Sequence, residues 1–175
     1  MKFFRVFPLL EGVYLDYLVY RGSKAFDANK IEEVKNTDTV YRHIWKPHMG
    51  EGVDEIVAAN FFQFQKSHNY NESLVWKRYA PDPNCVHSIG RIFEKRAKTN
   101  KQYIGSAQAT VESVRSYETP SKKWKLDIIH APNEGMFHLH IFPIPVGHND
   151  AISKNERNEL RDALMKIFKQ RLLAK

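Results

Sequence analysis

The chain has 175 residues and a formal charge of +7 that is unevenly carried: residues 1–87 hold 11 basic and 11 acidic side chains, leaving 16 and 9 for residues 88–175. With 42% apolar residues, 11 Phe and 8 Tyr, it is not a chain too polar to fold. The longest uncharged stretch, residues 135–149, is too short and too broken by His138, His140, Pro143 and Pro145 to span a bilayer, so no membrane partner is expected.

Residues 3–7 and 13–21 alternate aromatic and β-branched side chains around Leu9-Leu10-Glu11-Gly12 and predict an N-terminal β-hairpin. Asn29 and Glu32 have capping-box spacing, with Ile31 and Val34 as one apolar stripe, which predicts a helix of about two turns. Residues 37–46 read as a third strand. From Gly52 the period changes, and Val53, Ile56, Val57, Phe61 and Phe64 predict an amphipathic helix to about Lys66. Ser67-His68-Asn69-Tyr70-Asn71 and Pro81-Asp82-Pro83-Asn84 read as loops, and residues 72–80 as a docked connector. Residues 103–117, 124–131 and 137–144 predict three strands of an antiparallel meander. Ser153 and Glu156 form a capping box for a final helix whose stripe is Leu160, Leu164, Ile167, Phe168 and Leu172. The expected class is α+β: an N-terminal β-hairpin with helix, then an antiparallel β-meander backed by an amphipathic C-terminal helix. One domain over residues 1–175 is expected, or two packed lobes, 1–70 (α+β) and 71–175 (basic meander plus helix).

His130, His138, His140 and His148 fall close together in the second half. Asn133-Glu134-Gly135 suits a three-residue hairpin loop with Gly at the left-handed position. Residues 132 and 136 then close the hairpin, which sets His130 opposite His138, about 5 Å apart at Cβ, with His140 diagonal on the same face. Three imidazoles on one face allow a transition metal such as zinc, held by His130, His138 and His140 with an open position for water. They equally allow metal-free phosphate chemistry, with His138 as nucleophile or acid–base group and the others tuning it. The third reading is structural: half-buried rings satisfied by backbone carbonyls or by each other. His43, His48 and His87 have no clear partner and stand outside the expected site.

His138-Leu139-His140-Ile141-Phe142-Pro143 resembles the end of the His-x-His-x-His strand of the histidine-triad nucleotide hydrolases. That resemblance implies a nucleophilic role for His138. It covers under ten residues, Met136 stands where the first histidine would be, and we do not adopt it. Residues 72–81 followed by Val86-His87, and Ile129-His130-Ala131-Pro132 followed by His138, resemble blocks in small uncharacterised bacterial proteins. This second resemblance implies a bacterial, intracellular setting and no activity.

Arg91, Lys95, Arg96, Lys98 and Lys101 form one basic cluster, and Lys122, Lys123 and Lys125 surround Trp124, with Tyr103 close in sequence to the first group. Cations interleaved with exposed rings suit RNA, single-stranded DNA or a nucleotide, the rings stacking on bases and the cations meeting phosphates. The plain alternative is a solvated basic face. The N-terminus lacks a signal-peptide pattern and Cys85 has no internal partner, which suits a reducing, cytoplasmic compartment. The expectation is therefore a nucleic-acid- or phosphate-directed protein, a hydrolase or RNase in its enzymatic form. The competing expectation is a non-enzymatic module, a subunit or regulator in a bacterial defence or toxin-related complex, docking its basic half on an acidic protein face.

Overall fold

The structure, a computed structural model, describes residues 31–49, 56, 58–66, 70–97, 101–132, 136–147 and 151–174. Within them β1 (Thr39–Trp45), β2 (Glu72–Trp76), β3 (Tyr103–Thr110), β4 (Trp124–His130), β5 (His138–Pro145) and β6 (Gln170–Leu173) form an antiparallel sheet in the order β4-β5-β2-β1-β3-β6. The α-helices among the described residues are α1 (Ala58–Phe61), α2 (Pro83–Arg96), α3 (Val111–Arg115) and α4 (Lys154–Ile167), and Lys46–His48 form a 3-10 turn after β1. The architecture is α+β.

Side chains alternate between the two faces of a strand, and here both faces are covered. On the first face Val40, Ile44, Leu74, Trp76, Ile128 and Ile141 pack with Val111 and Val114 of α3 and Leu160 and Leu164 of α4. On the second, Tyr41 and Val75 pack with Val86 and Ile89 of α2. β1 lies inside the sheet, so residues on both sides of position 70 share one sheet and one main core.

Several expectations change. Residues 81–84 start a helix: Asp82 accepts from the amides of Asn84 (2.8 Å) and Cys85 (3.1 Å), and Pro83 occupies a first-turn position where a missing N–H costs nothing. Residues 72–76 are a strand between β1 and β5, not a connector. The run 103–117 breaks at Thr110, whose hydroxyl accepts from Ser113 N (3.2 Å) and caps α3. β3 and β4 are not neighbours, because β1, β2 and β5 lie between them; only β4 and β5 keep the expected hairpin adjacency. The Ser153–Glu156 capping box forms as expected, but α4 ends at Ile167 and the chain turns back as β6 along β3. Residues 31–35 are not helical, and helix α1 stops at Phe61. The N-terminal hairpin lies outside the described residues.

β1 and β2 pair at Val40↔Trp76 and Tyr41↔Val75. Beyond these pairs β1 runs on beside β3, and β2 beside β5, so the sheet opens between them. Arg42 fills the opening. Its guanidinium donates to Ser73 O (2.7 Å), Phe61 O (2.9 Å) and the Glu72 carboxylate (2.6 Å), and it lies 5.5 Å from the centre of the Phe62 ring. Glu72 also accepts from the amides of Gln63 (2.6 Å) and Phe64 (2.5 Å), while Arg161 of α4 donates to the carbonyls of Phe62 and Gln63, both at 2.7 Å. Residues 61–65 are therefore pinned by two arginines and one carboxylate. This holds Phe64 at a φ of 47°, a left-handed conformation unfavourable for a bulky residue.

Glu72→Ala should cost about 3–5 kcal/mol of unfolding free energy, because it strands a buried guanidinium and two amides together. Urea denaturation checks this; a loss below about 1 kcal/mol would mean that water replaces the pair.

Candidate functional site

The β4–β5 hairpin pairs His130 with Leu139, Ile129 with His140 and Ile128 with Ile141, one residue away from the expected register. The core sets this choice. Pairing His130 with His138 would put Leu126 and Ile128 on one face and Leu139 and Ile141 on the other; the observed register buries all four together. A one-residue slip moves a whole side-chain set across the sheet, so His130 lies on the first face and His138 and His140 on the second. The expected three-imidazole set does not assemble. Among the described residues, no group of three or more His, Cys, Asp or Glu side chains is placed to hold a metal ion.

His130 is a structural histidine. Its Nδ1 accepts from Glu32 N (3.0 Å), Nε2 donates to Met136 O (2.9 Å), and its ring meets those of Trp76 and Tyr79. Burial pushes its pKa below the ordinary histidine value, against the opposing effect of the Met136 bond.

His138 and His140 form an edge-to-face pair with ring centres 5.1 Å apart, and Asn71 Nδ2 lies 3.5 Å from His140 Nδ1. His138 lines a cavity of about 550 Å³ at the opening between β1 and β2, a size suited to a small ligand. Residues of both faces reach it because the sheet is open there: Arg42 and Glu72 from one side, His43, Ser73, Val75 and His138 from the other. Trp45, Phe93 and Phe137 supply rings; Asn60, Gln63, Gln65 and Asn71 supply amides.

Two further histidines at this cavity, His43 and His48, stood outside the sequence expectation. His43 is 9% exposed, and its Nδ1 lies 3.0 Å from Ser106 Oγ on β3. Among the described residues its buried Nε2 has no hydrogen-bond partner. Its pKa falls to about 3, first through desolvation and then through the positive Arg42 and the neighbouring His87 and His138. His48 also falls to about 3, from burial first and then Arg42 and Lys101; its Nδ1 accepts from Trp45 N (3.2 Å). A signal for His43 was present: in an inward-facing strand it shares a face with Tyr41 and Trp45.

The expected basic surface divides. Arg96 and Lys101 line the cavity, and Arg91 and Lys95 are exposed along α2. Lys98 lies outside the described residues. Lys122 and Lys123 precede β4; Lys123 pairs with Glu156 of α4 (3.3 Å), on the face away from α2. Trp124 is buried in the main core and Tyr103 is buried against α2, so neither ring is placed to stack on a base. No helix among the described residues is long and apolar enough to cross a membrane. Compared with known proteins, the chain matches no family model, no curated protein and no solved structure.

The two depressed histidines set a pH dependence of stability. Above about pH 6.5 they are neutral whether the chain is folded or unfolded. Below it the unfolded chain binds protons that the folded one refuses until about pH 3, so stability is lost as pH falls through that window. Each contributes about 1.4 kcal/mol per pH unit once the pH is well below the upper limit. Urea unfolding at pH 7, 6 and 5 should show this decline, and His43→Gln should remove one proton's share of it. Equal slopes in wild type and variant would contradict the burial of a neutral His43.

Proposed function

We propose that the cavity between β1 and β2 takes a phosphorylated ligand, a nucleotide or a strand of RNA, and that histidine acid–base chemistry cleaves a phosphodiester there. One observation carries this reading: the imidazoles of His43 and His138 line the same cavity as the cations Arg96 and Lys101. The division of labour follows from ordinary side-chain chemistry. Arg96 and Lys101 keep a fixed positive charge and hold phosphate oxygens. His43 and His138 move protons, one taking the proton from a ribose 2′-hydroxyl as its oxygen attacks phosphorus, the other giving a proton to the departing 5′-oxygen. The products are a cyclic phosphate and a free 5′-hydroxyl, with no net gain or loss of protons. Trp45 and Phe93 offer ring faces for a base.

The cations are needed because α2 brings its C-terminal end, the negative end of its dipole, to the cavity at Arg96 and Ala97. An anion is drawn there by side chains, not by the helix. The setting that goes with this reading is a reducing, cytoplasmic one, on the single Cys85.

A fluorescent single-stranded RNA should be cleaved, and the same oligonucleotide with 2′-deoxyribose throughout should not. His138→Ala should lower kcat at least about 10²-fold with the fold intact by circular dichroism. Arg96→Gln and Lys101→Gln should each weaken RNA binding and reduce the logarithmic salt slope by about 0.7. Cleavage of the deoxy strand at the same rate, or full activity of His138→Ala, would remove the proposal. The exposed basic side of α2, docking Arg91 and Lys95 on an acidic protein face of a defence or toxin-related complex, is the reading that would then remain.

A further inference from the structure

His43 is joined to a second histidine by a line of hydrogen bonds. Its Nδ1 lies 3.0 Å from Ser106 Oγ, Ser106 Oγ lies 2.9 Å from the Tyr103 hydroxyl, and that hydroxyl lies 2.9 Å from His87 Nδ1 on α2. The Tyr103 ring is held in place by close packing: a Cβ added at Gly90 of α2 would sit 2.4 Å from it. His43 and Ser106 are paired on adjacent strands, so the central part of the line is fixed by sheet register.

Proton counting constrains this line. Three bonds need three protons. The two hydroxyls supply one each, so one of the two terminal Nδ1 atoms must supply the third, and both hydroxyls must point away from it. If His43 Nδ1 carries the proton, Ser106 and Tyr103 point towards His87, and His43 Nε2 is a bare acceptor. If His87 Nδ1 carries it, both hydroxyls point towards His43, whose proton then sits on Nε2. The two nitrogens of an imidazole diverge. With Nδ1 bonded to Ser106, the buried Nε2 is the ring nitrogen without a partner among the described residues, on a ring that lines the cavity with Ser73, Val75 and His138.

We propose that His43 is a proton-transferring residue of the cavity and that Ser106, Tyr103 and His87 form a relay deciding whether it meets a ligand as base or as acid. The role rests on the phosphodiester reading above; the relay rests on the hydrogen bonds alone. In the base direction Nε2 takes the substrate hydroxyl proton, Nδ1–H passes to Ser106, the Ser106 proton to Tyr103, and the Tyr103 proton to His87 Nδ1. His87 is then doubly protonated and, being half-buried, releases its Nε2 proton to water. His43 is left neutral with a proton on Nε2, ready to give it to a leaving oxygen when the line runs back. A buried imidazole beside Arg42 is a poor holder of charge, and this exchange never requires His43 to hold one.

The groups bearing on the two ends are Arg42, His138 and His87 around His43, and Arg91 around His87 and Tyr103. Protonating His87 forces its Nδ1 to donate, which turns both hydroxyls and shifts His43 to the Nε2–H form. Nitrogen-15 NMR of histidine-labelled protein reads this directly as pH is lowered from 8 towards 4. The expected result is a tautomer change at His43 that follows the titration of His87, although His43 itself does not become doubly protonated in that range. In Tyr103→Phe, or Ser106→Ala if the first does not fold, His87 should still titrate while His43 no longer responds. A His43 tautomer constant across the His87 titration, or one that still follows it in both variants, would overturn the relay. On single-stranded RNA, His43→Gln should lose at least about 10²-fold in kcat, and Tyr103→Phe should change the pH–rate profile as well as the rate. Coupled tautomers in a protein that cleaves no RNA would end the proton-transfer role and the phosphodiester reading, and leave the relay standing.

Discussion

A largely buried arginine, Arg42, in an open sheet is the constraint on which the rest depends. The β1–β2 register runs only over Val40↔Trp76 and Tyr41↔Val75, and backbone polar groups left unsatisfied in a fold cost roughly 1–3 kcal/mol each. Arg42 bonds Ser73 O on β2 and Phe61 O at the end of α1. Burial lowers its pKa, and Glu72 opposes that shift by contact and by hydrogen bond. The pair is not an ornament on a finished fold: removing the cation would leave the opening without a lining, and removing the carboxylate would leave the cation without a counter-charge.

From that pair follows the electrostatic character of the cavity. Arg42, Arg96 and Lys101 line it, and among the described residues the one carboxylate that does, Glu72, is engaged by Arg42. Nearby imidazoles are pressed towards the neutral form, first by burial and then by Arg42 at His43 and by Arg42 and Lys101 at His48. Under the proposed phosphodiester reading, cations beside neutral imidazoles favour an anion, and an anion in turn stabilises the imidazolium form. In that proposal charge and proton transfer belong to different side chains.

Strong local signals were legible in the sequence. The Ser153–Glu156 box and the Leu160–Leu164 stripe locate α4, and the alternations near residues 39–45, 124–130 and 138–145 locate three strands. Helix α2 was legible too: Asp82-Pro83 is a cap followed by a first-turn proline, and Val86, Ile89 and Phe93 repeat at helical spacing, but two prolines drew the reading to a loop. The register of β4 and β5 was the costly error. Turn chemistry favoured one pairing, yet burying Leu126, Ile128, Leu139 and Ile141 on one face outweighs any turn preference, since each such side chain is worth about 1.5–3 kcal/mol. Strand order was beyond reach because β2 and β6 sit beside partners distant in sequence, and with it the approach of His43 to His138. The basic clusters were visible as counts; their division between two faces depends on which helix each strand end meets.

The opening in the sheet also explains why the site draws on distant parts of the chain. β1 and β3 form one wall and carry His43 with Ser106 and Tyr103; β2 and β5 form the other and carry Ser73, His138 and His140. Helix α2 spans both, packing Val86 and Ile89 against Tyr41 and Val75, with Gly90 against Tyr103 and Phe93 beside Phe137 and His43. Arg42 thus occupies the opening between the two walls, and α2 ties them together. A continuous ladder between β1 and β2 would bring those two strands to ordinary spacing, about 4.8 Å, and close the opening that Arg42 and Glu72 line. The departure from regular pairing, held by the Arg42–Glu72 pair, is what lets side chains from both faces of the sheet line one cavity.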